Sequence, residues 1–251
     1  MPLSDQTKDA ISAHLYKEIS RYITESKLAK PIALESKPFH ARLLPALFNF
    51  HLSERSFSTR SGSWFQEMAR LVASQFHKNA QLGFTLKGEI QPAASSHITT
   101  LLEQMNKGVP KRLPDRSQDI EGVLTVQSAH GAAISVTADL HVLTYNGIEL
   151  YFEMKTPLPN KDTCMAMKRF ILQIAAIRKG HPAHAFAATA YNPIGEAAPY
   201  KWNYARQFLE IGQDMLIGRA FWEKIGDSTT YDELLTLSEE VGRRITLELT
   251  P

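Results

Sequence analysis

Two acidic residues and a lysine near the middle of the chain have types and a spacing that suit phosphate ester hydrolysis. Asp139 is followed by thirteen residues and then by Glu153-Met154-Lys155. Two neighbouring carboxylates repel each other unless a cation lies between them, and hard oxygen ligands on an open site favour Mg²⁺. Lys155 would orient or help to deprotonate the attacking water and offset charge in the transition state. The pattern indicates Mg²⁺-dependent phosphodiester hydrolysis with Asp139 and Glu153 as metal ligands.

The three residues lie on two predicted strands that form a hairpin. The runs ISVTADLHVLTY and IELYFEMKT flank Asn146-Gly147, a strong hairpin signal. Because side chains alternate along a strand, one face would be apolar and would belong to the core. We expect the opposite face to carry the two acids and the lysine at a water-accessible site, and its residues are Asp139, His141, Tyr151, Glu153 and Lys155.

The length of the hairpin loop decides whether the two carboxylates meet. A two-residue Asn-Gly loop would pair Asp139 with Met154 and send the acids to opposite faces. A three-residue loop, with Gly147 in the left-handed conformation, would pair Thr144 with Ile148. Asp139 would then lie across from Glu153, with side-chain roots about 5 Å apart. Only this register also aligns the apolar faces, so we predict the three-residue loop or an equivalent bulge.

The rest of the chain alternates between helical and strand patterns. Together with the hairpin these predict an α/β fold with a mixed sheet flanked by helices. The predicted helices are 5–27, 63–77 with a Ser63/Gln66 capping box, a shorter one capped by Ser95 or Ser96, and one from Asn160 to about Lys179. The predicted strands are 81–90, 122–127, the hairpin 133–156 and 183–191, and VPKRLPDRSQD is a predicted loop.

Composition excludes several classes of protein. The chain has 251 residues, of which 43% are hydrophobic and 22% charged, which is ordinary for a globular protein. A single cysteine, Cys164, excludes an intramolecular disulfide and a multi-thiolate metal site. With no secretory signal and no apolar run of about 18 residues, we expect a cytoplasmic protein with no membrane association.

The basic residues are unevenly distributed. The segment Lys37–Arg116 carries a net charge of +6, and the remainder of the chain carries −4. A local basic surplus is a weak indication of a polyanionic partner, and an unevenly solvated surface explains it equally well.

The spacing of Asp139 and Glu153-Met154-Lys155 on a hairpin resembles the PD-(D/E)xK nuclease superfamily. The sequence departs from the nominal Pro-Asp because Ala138 precedes Asp139. An ordinary ion pair on a solvated strand face is the alternative, although Asp is disfavoured in a strand of Val, Thr and Leu.

Longer stretches are similar to the TdeIII-type family of type II restriction endonucleases. They are PFHARLLP, SERSFSTRSGSWFQEMA, YFEMKTPLPNKD, YNPIGEAAPYKW and FWEKIGDSTTYDELL. The resemblance implies one restriction-endonuclease-like domain over 1–251, with a helical N-terminal extension (1–60), a catalytic core (61–195) and a helical C-terminal part (196–251). It further implies a Mg²⁺-dependent homodimer that cuts double-stranded DNA at a short palindrome of the GGNCC kind. A cognate DNA methyltransferase would act on the same site without forming a stable complex.

Further residues are candidates for the catalytic or DNA-binding machinery. Glu67 on the second helix would supply a third acid, as in many nucleases of this superfamily, or would be a solvated glutamate. The hydroxyl-rich segment Ser53–Ser63 would bind a phosphate at a helix start, or would cap that helix. The candidate DNA-binding residues of this segment are Arg55, Ser56, Thr59 and Arg60. Two further candidates, Asn160 and Lys161, follow the strand that carries Glu153.

Other residues keep two interpretations. Five basic residues are candidates for guanine contacts: Arg55, Arg60, Lys111, Arg112 and Arg116. Tyr200, Trp202 and Tyr204 would stack on DNA bases or belong to a core.

Two other functions remain open. One is a monomeric repair or nicking nuclease that uses the same three residues, and the other is a catalytically inactive DNA-binding protein. A palindrome-cutting enzyme favours a two-fold dimer, so the mass in solution distinguishes the first alternative.

Overall fold

Thirteen helices and strands occupy the part of the chain that the computed structural model describes, residues 1–25, 42, 54–107, 112–126 and 131–249. The helices are α1 (Asp5–Glu25), α2 (Glu54–Phe76), α3 (Pro92–Lys107), α4 (Arg116–Thr125), α5 (Lys161–Ile177), α6 (Asn203–Phe208), α7 (Arg219–Ile225) and α8 (Thr230–Leu249). The strands are β1 (Asn79–Ile90), β2 (Ala132–Leu143), β3 (Glu149–Met154), β4 (Ala183–Thr189) and β5 (Met215–Ile217). Among the described residues, no helix combines the length and apolar character that a membrane crossing requires.

The five strands form one mixed sheet in the order β1-β2-β3-β4-β5. The pairs β1/β2 and β2/β3 are antiparallel, and the pairs β3/β4 and β4/β5 are parallel. Helix α5 makes the crossover between the parallel strands β3 and β4, as a parallel connection requires. The α/β class, the mixed sheet and the hairpin are therefore confirmed.

The chain divides into two compact units. The first contains 1–76, 190–199 and 218–251, and the second contains 77–189 and 200–217. The first unit is helical: α1 packs against α2 and α8, and α7 packs against α2 and α8. The second unit contains the sheet with helices α3 to α6. Whether the chain functions as a single domain, as the sequence resemblance implies, stays a prediction.

The core of the sheet unit lies under α5. Met167, Ile171 and Ile174 of this helix are buried together with Tyr151 of β3 and Ala187 of β4. Helix α5 contacts four strands of the sheet, β1, β2, β3 and β4. Burial of this apolar stripe is the main term that stabilises the sheet against the helix.

Several boundaries differ from the sequence-based prediction. Helix α2 begins at Glu54 rather than at Ser63, whose hydroxyl donates to the Arg60 carbonyl oxygen (2.9 Å) within the helix. The predicted capping box is therefore wrong. Helix α3 begins at Pro92, which needs no N–H in the first turn, rather than after Ser95 or Ser96.

The predicted strand at 122–127 is also wrong, because α4 is helical as far as Thr125. Asp115 caps this helix: its carboxylate accepts from the N–H of Gln118 (3.0 Å). Asp119 and Val123 are buried one turn apart on the inner face. The β-branched residues of this segment favour a strand locally, but the cap and the inner contacts favour a helix. The three-residue strand β5 was not predicted.

An ion network with a fully buried centre joins α4, α5 and the loop before β5. The ammonium of Lys168 lies 2.7 Å from an Asp119 oxygen and 2.6 Å from an Asp214 oxygen, and all three side chains are inaccessible to solvent. Arg112 pairs with Asp119, and Arg116 pairs with Asp214 (3.1 Å). Such a network stabilises a fold only while every member has its partner.

We predict that Asp214→Ala lowers the free energy of unfolding by roughly 3 kcal/mol or more, because it leaves buried positive charge uncompensated. Urea denaturation followed by circular dichroism measures the change. Glu103→Ala is the matched control, since Glu103 forms an exposed pair with Lys107 at 3.7 Å and should change stability by about 0.5 kcal/mol or less. Equal effects of the two substitutions would contradict a stabilising role for the network.

Candidate active site

The loop between β2 and β3 has three residues, as predicted. The N–H of Thr144 donates to the Ile148 carbonyl oxygen (2.9 Å), and Gly147 adopts a left-handed conformation with φ of 81°. The pairs Leu143↔Glu149 and Leu140↔Phe152 continue this register along the hairpin. The same register places Asp139 across from Glu153, so the condition for a shared carboxylate site is met.

The two strands separate at these acids. The β2/β3 pairing extends to Leu140↔Phe152, and beyond it the N–H of Met154 donates to Asp139 Oδ2 (2.8 Å) instead of to the β2 backbone. Strand β3 stays paired with β4 here through Glu153↔Ala187. The Asp139 carboxylate therefore closes the gap between two diverging strands, and its position is fixed by a main-chain donor.

Gly83 of β1 shapes the backbone beside Asp139. The pairs Leu82↔Leu140 and Phe84↔Ala138 place Gly83 opposite Asp139, and Gly83 has a positive φ of 62°. The regular alternation of faces is broken at this point, since Phe84 stacks on the His141 ring (centroids 4.1 Å apart) although its partner is Ala138. Such a local distortion re-aims a side chain, as bulges beside active sites do.

Lys155 lies between the two carboxylates. Its ammonium is 3.1 Å from Asp139 Oδ2 and 2.6 Å from Glu153 Oε1. The N–H of Lys155 donates to the Ala188 carbonyl oxygen of β4 (3.0 Å), which fixes the start of its side chain. The three side chains are partly exposed, at 34% for Lys155, 25% for Asp139 and 21% for Glu153. The cluster is thus ordered by the sheet and reachable from solvent.

Burial and mutual charge shift the pKa values of two members of this cluster. Burial raises the pKa of Glu153, and the nearby Asp139 charge adds to this effect against the opposing hydrogen bond from Lys155. Burial alone would lower the pKa of Lys155, but its hydrogen bond to Glu153 and the two negative charges outweigh burial and raise it. A cation between the carboxylates offsets their mutual repulsion, as the Lys155 ammonium does here.

The donor set fits Mg²⁺. The oxygens of Asp139 and Glu153 converge on one point, which the Lys155 ammonium approaches. Carboxylate oxygens are hard ligands that Mg²⁺ prefers. Within the described residues no cluster of three or more acidic, histidine or cysteine side chains is suited to a metal ion. Two carboxylates would leave most of the Mg²⁺ coordination sphere to water and substrate oxygens, as in many phosphate-processing sites.

Part of the polar face of the hairpin is covered rather than open to water. Tyr151 is fully buried and His141 nearly so. Arg178 at the end of α5 donates to the Tyr151 hydroxyl (3.0 Å) and pairs with Glu149 (2.8 Å). Helix α5 covers this part of the face, whereas the three catalytic candidates at the end of the hairpin remain accessible.

Asn160 caps helix α5, as predicted. Its side-chain oxygen accepts from the N–H of Thr163 (2.8 Å), and Lys161 is the first residue of the helix. The two residues follow Lys155 by five and six positions. Their contact with DNA stays a prediction.

The other predicted site residues lie on α2, in the helical unit. Both carboxylate oxygens of Glu67 accept from the Arg70 guanidinium (2.6 and 2.8 Å), which lowers the Glu67 pKa. Arg60 lies over the Tyr22 ring, 5.5 Å from its centroid. The predicted phosphate-binding loop before Ser63 is helical from Glu54, so the helix start is not where we expected it. The catalytic role of Glu67 and the DNA contact of Arg60 stay predictions.

Some candidate residues fall outside the described residues or are already paired. The side chains of Arg55, Ser56 and Thr59 and all of Lys111 lie outside the described part of the chain. Arg112 and Arg116 belong to the buried ion network, so base recognition by these two arginines would require breaking it.

Two features of the site were not predicted from the sequence. Gly83 interrupts a strand pattern, and an isolated glycine in a strand is a signal for a bulge or a close approach. Tyr200 and Trp202 donate to the carbonyl oxygens of Pro157 and Pro159, both at 2.7 Å, in the loop that follows Lys155. No local signal pairs these aromatic residues with that loop, because they are 43 residues away along the chain.

Comparison with known proteins assigns the family. The family model described as "Type II restriction endonuclease, HinfI" matches residues 3–242. The chain belongs to this family of type II restriction endonucleases. The superfamily-level PD-(D/E)xK assignment and the TdeIII-type resemblance are not confirmed by this match.

Curated relatives agree with the family. The type II restriction enzyme HgiCII of Herpetosiphon aurantiacus is 35% identical over 220 residues, which cover 85% of this chain and 80% of the relative. HgiEI and HgiBI of the same organism are each 33% identical over 219 residues, with the same coverage. No solved structure gives a significant match. Restriction endonucleases act on DNA, generally with a divalent metal ion, and the mixed sheet flanked by helices is consistent with their fold.

We predict that Gly83→Ala reduces DNA cleavage at saturating substrate at least tenfold, because a side chain disfavours the left-handed backbone that positions Asp139. Gly83→Asn should retain more activity, since Asn tolerates this conformation. Cleavage of plasmid DNA in single-turnover assays measures both variants.

Gly180→Ala is the matched control. Gly180 also has a positive φ (81°) and open space around it, but it follows α5. This control should cost similar stability, about 1 kcal/mol, without the loss of cleavage. Equal cleavage by Gly83→Ala and Gly180→Ala would remove the positioning role of Gly83.

Proposed function

We propose that the enzyme hydrolyses phosphodiester bonds of double-stranded DNA at a short palindrome, with Asp139, Glu153 and Lys155 as its catalytic residues. The observation that carries the proposal is the convergence of two partly exposed carboxylates and one ammonium at the end of the β2/β3 hairpin. Membership in a restriction endonuclease family supports the reaction class. The same arrangement supports placement in the PD-(D/E)xK superfamily, whose acid and Glu-x-Lys positions these residues match.

Asp139 and Glu153 would hold Mg²⁺. When bound, Mg²⁺ supplies a Lewis acid that neutralises phosphate charge and lowers the pKa of water. The main-chain donor on Asp139 keeps one carboxylate oxygen in place, and the pairing of β3 with β4 keeps Glu153 beside it. The two acids thus need little rearrangement to accept a divalent cation.

Lys155 would act on the attacking water and on the scissile phosphate. In the metal-loaded site its ammonium orients the attacking water and offsets negative charge as the phosphorus becomes five-coordinate. The water oxygen would form a bond to phosphorus and release a proton to solvent, the bond from phosphorus to the leaving ester oxygen would break, and the leaving oxygen would take up a proton from solvent. Lys155 remains held from the β4 side by its main-chain hydrogen bond to Ala188.

The enzyme would recognise a specific DNA sequence and would act as an assembly of two protomers. A palindromic site is matched by a two-fold homodimer, and each protomer would cut one strand. We infer a GGNCC-like site and a cognate methyltransferase that modifies the same sequence without a stable complex. The proposed DNA contacts are the helix α2 residues Arg55, Ser56, Thr59 and Arg60, together with Asn160 and Lys161 at the start of helix α5. Glu67 is the proposed third acid of the catalytic site. We also propose, from the sequence resemblance, that the enzyme is of the TdeIII type.

We predict that Asp139→Asn, Glu153→Gln and Lys155→Ala each lower the cleavage rate at least a thousandfold while DNA affinity changes less than about fivefold. Removal of a group that stabilises the transition state affects chemistry rather than binding. Cleavage is measured with phage DNA and Mg²⁺, and affinity is measured by fluorescence anisotropy with a DNA duplex and Ca²⁺.

Glu149→Gln is the matched control, since Glu149 lies on the same strand with the same 21% exposure but pairs with Arg178. It should retain activity within about tenfold. A Lys155→Ala variant that cuts at the parental rate would remove this lysine from the mechanism.

We predict that wild-type digestion of sequenced DNA gives discrete fragments whose ends define one palindrome, and that the enzyme in solution has the mass of a homodimer. Fragment-end sequencing and light scattering measure the two properties. A smear of fragments would contradict site-specific cleavage, and a monomeric mass with single-strand nicks would favour a nicking nuclease.

A further inference from the structure

A basic surface follows directly from the catalytic strand. It consists of residues 155–161 (KTPLPNK) and 200–206 (YKWNYAR), which together contain four basic and no acidic residues. We call these two segments the basic rim. Its basic residues are Lys155, Lys161, Lys201 and Arg206.

Two hydrogen bonds hold the segments of the basic rim together. The Tyr200 hydroxyl donates to the Pro157 carbonyl oxygen and the Trp202 indole N–H donates to the Pro159 carbonyl oxygen, both at 2.7 Å. Tyr200 and Pro159 are buried. The aromatic side chains therefore serve as inward anchors that fix the second segment against the loop leaving the catalytic strand.

The residues between and beyond these anchors are exposed. Lys201, Tyr204 and Arg206 are on the surface, and Tyr204 is 43% exposed. Considering all residues that the structure describes, Lys161, Lys201 and Arg206 form no ion pair. In the same unit Lys168 and Arg178 are paired with acids. These three cationic groups of the rim are thus available to an anionic ligand, whereas Lys155 is paired with Asp139 and Glu153.

We propose that the basic rim binds the DNA backbone beside the scissile phosphate, with Lys201 and Arg206 on phosphates and Tyr204 against a sugar or base. The proposal rests on the proposed function, because Lys155 is both the first residue of the rim and a catalytic candidate. Pro157, where Tyr200 is anchored, is two residues from Lys155 and hence within about 7 Å along the chain. A DNA backbone whose scissile phosphate lies at the catalytic site would continue past this nearby surface, and the charge of the rim complements the phosphates.

Salt-dependent binding tests the phosphate contacts. We expect Lys201→Ala and Arg206→Ala each to reduce the slope of log K against log salt concentration by about 0.9, because each releases one counterion fewer from duplex DNA. Affinity at 0.15 M salt should fall about threefold to tenfold, and single-turnover cleavage at saturating DNA should stay near the parental rate. The probe is a fluorescent 30-base-pair duplex, with Ca²⁺ replacing Mg²⁺.

Lys87→Ala is the matched control, because Lys87 is an exposed lysine of the edge strand β1 that forms no ion pair among the described residues. This variant should keep the parental slope. If both rim variants keep the parental slope, or change it no more than Lys87→Ala does, the basic rim does not bind the DNA backbone.

Tyr204 is tested separately because its contact is not ionic. Tyr204→Ala should weaken binding about fivefold or more without changing the salt slope, and Tyr204→Phe should restore most of the affinity. Unchanged affinity in Tyr204→Ala would overturn this contact.

The result is distinguishable from failure of the proposed function. If the catalytic assignment is wrong, Lys155→Ala cuts normally whatever the rim variants do. If only the rim assignment is wrong, Lys155→Ala is inactive while Lys201→Ala and Arg206→Ala bind and cut like the parent.

Discussion

The pairing of Thr144 with Ile148 across a three-residue loop is the constraint on which the candidate active site depends. Side chains alternate with a period of two along a strand, so a slip of one residue would move Glu153 to the opposite face from Asp139. Gly147 makes this loop possible because its φ of 81° suits the last position of such a loop. Lys155 follows two residues after Glu153 and shares its face, so one turn geometry brings two carboxylates and an ammonium together.

The sheet unit contains two lysines that each lie between two acids, and their surroundings give them different roles. Lys168 with Asp119 and Asp214 is inaccessible to solvent, so its charges serve to hold helices and a loop in place. Lys155 with its two acids is between one fifth and one third exposed, at a point where strands β2 and β3 separate. An ammonium there can be exchanged for, or joined by, a divalent cation and a phosphate. Exposure, rather than the residue types, separates a structural cluster from a catalytic candidate.

The sequence was sufficient to predict the features that depend on short-range patterns. The hairpin, its register and the Asn160 cap follow from alternation, from Asn-Gly and from capping chemistry, which act over a few residues. Features set by contacts distant along the chain were missed: the burial of Tyr151 and His141 under α5, the helix at 116–125 where the end of a loop and a strand at 122–127 were predicted, and the anchoring of the proline loop by Tyr200 and Trp202. The start of α2 was also wrong, because Ser63 has capping chemistry but its hydroxyl binds a carbonyl inside a longer helix.

The central claim is that Asp139 and Glu153 together hold a divalent cation beside Lys155. Crystals of the enzyme with DNA and Mn²⁺ in place of Mg²⁺ test it most directly through the anomalous scattering of manganese. The account predicts an anomalous peak bonded to both carboxylates at about 2.2 Å, with the Lys155 ammonium displaced toward the phosphate. A Mn²⁺ peak bound elsewhere, with the ammonium still between the two acids, would contradict it.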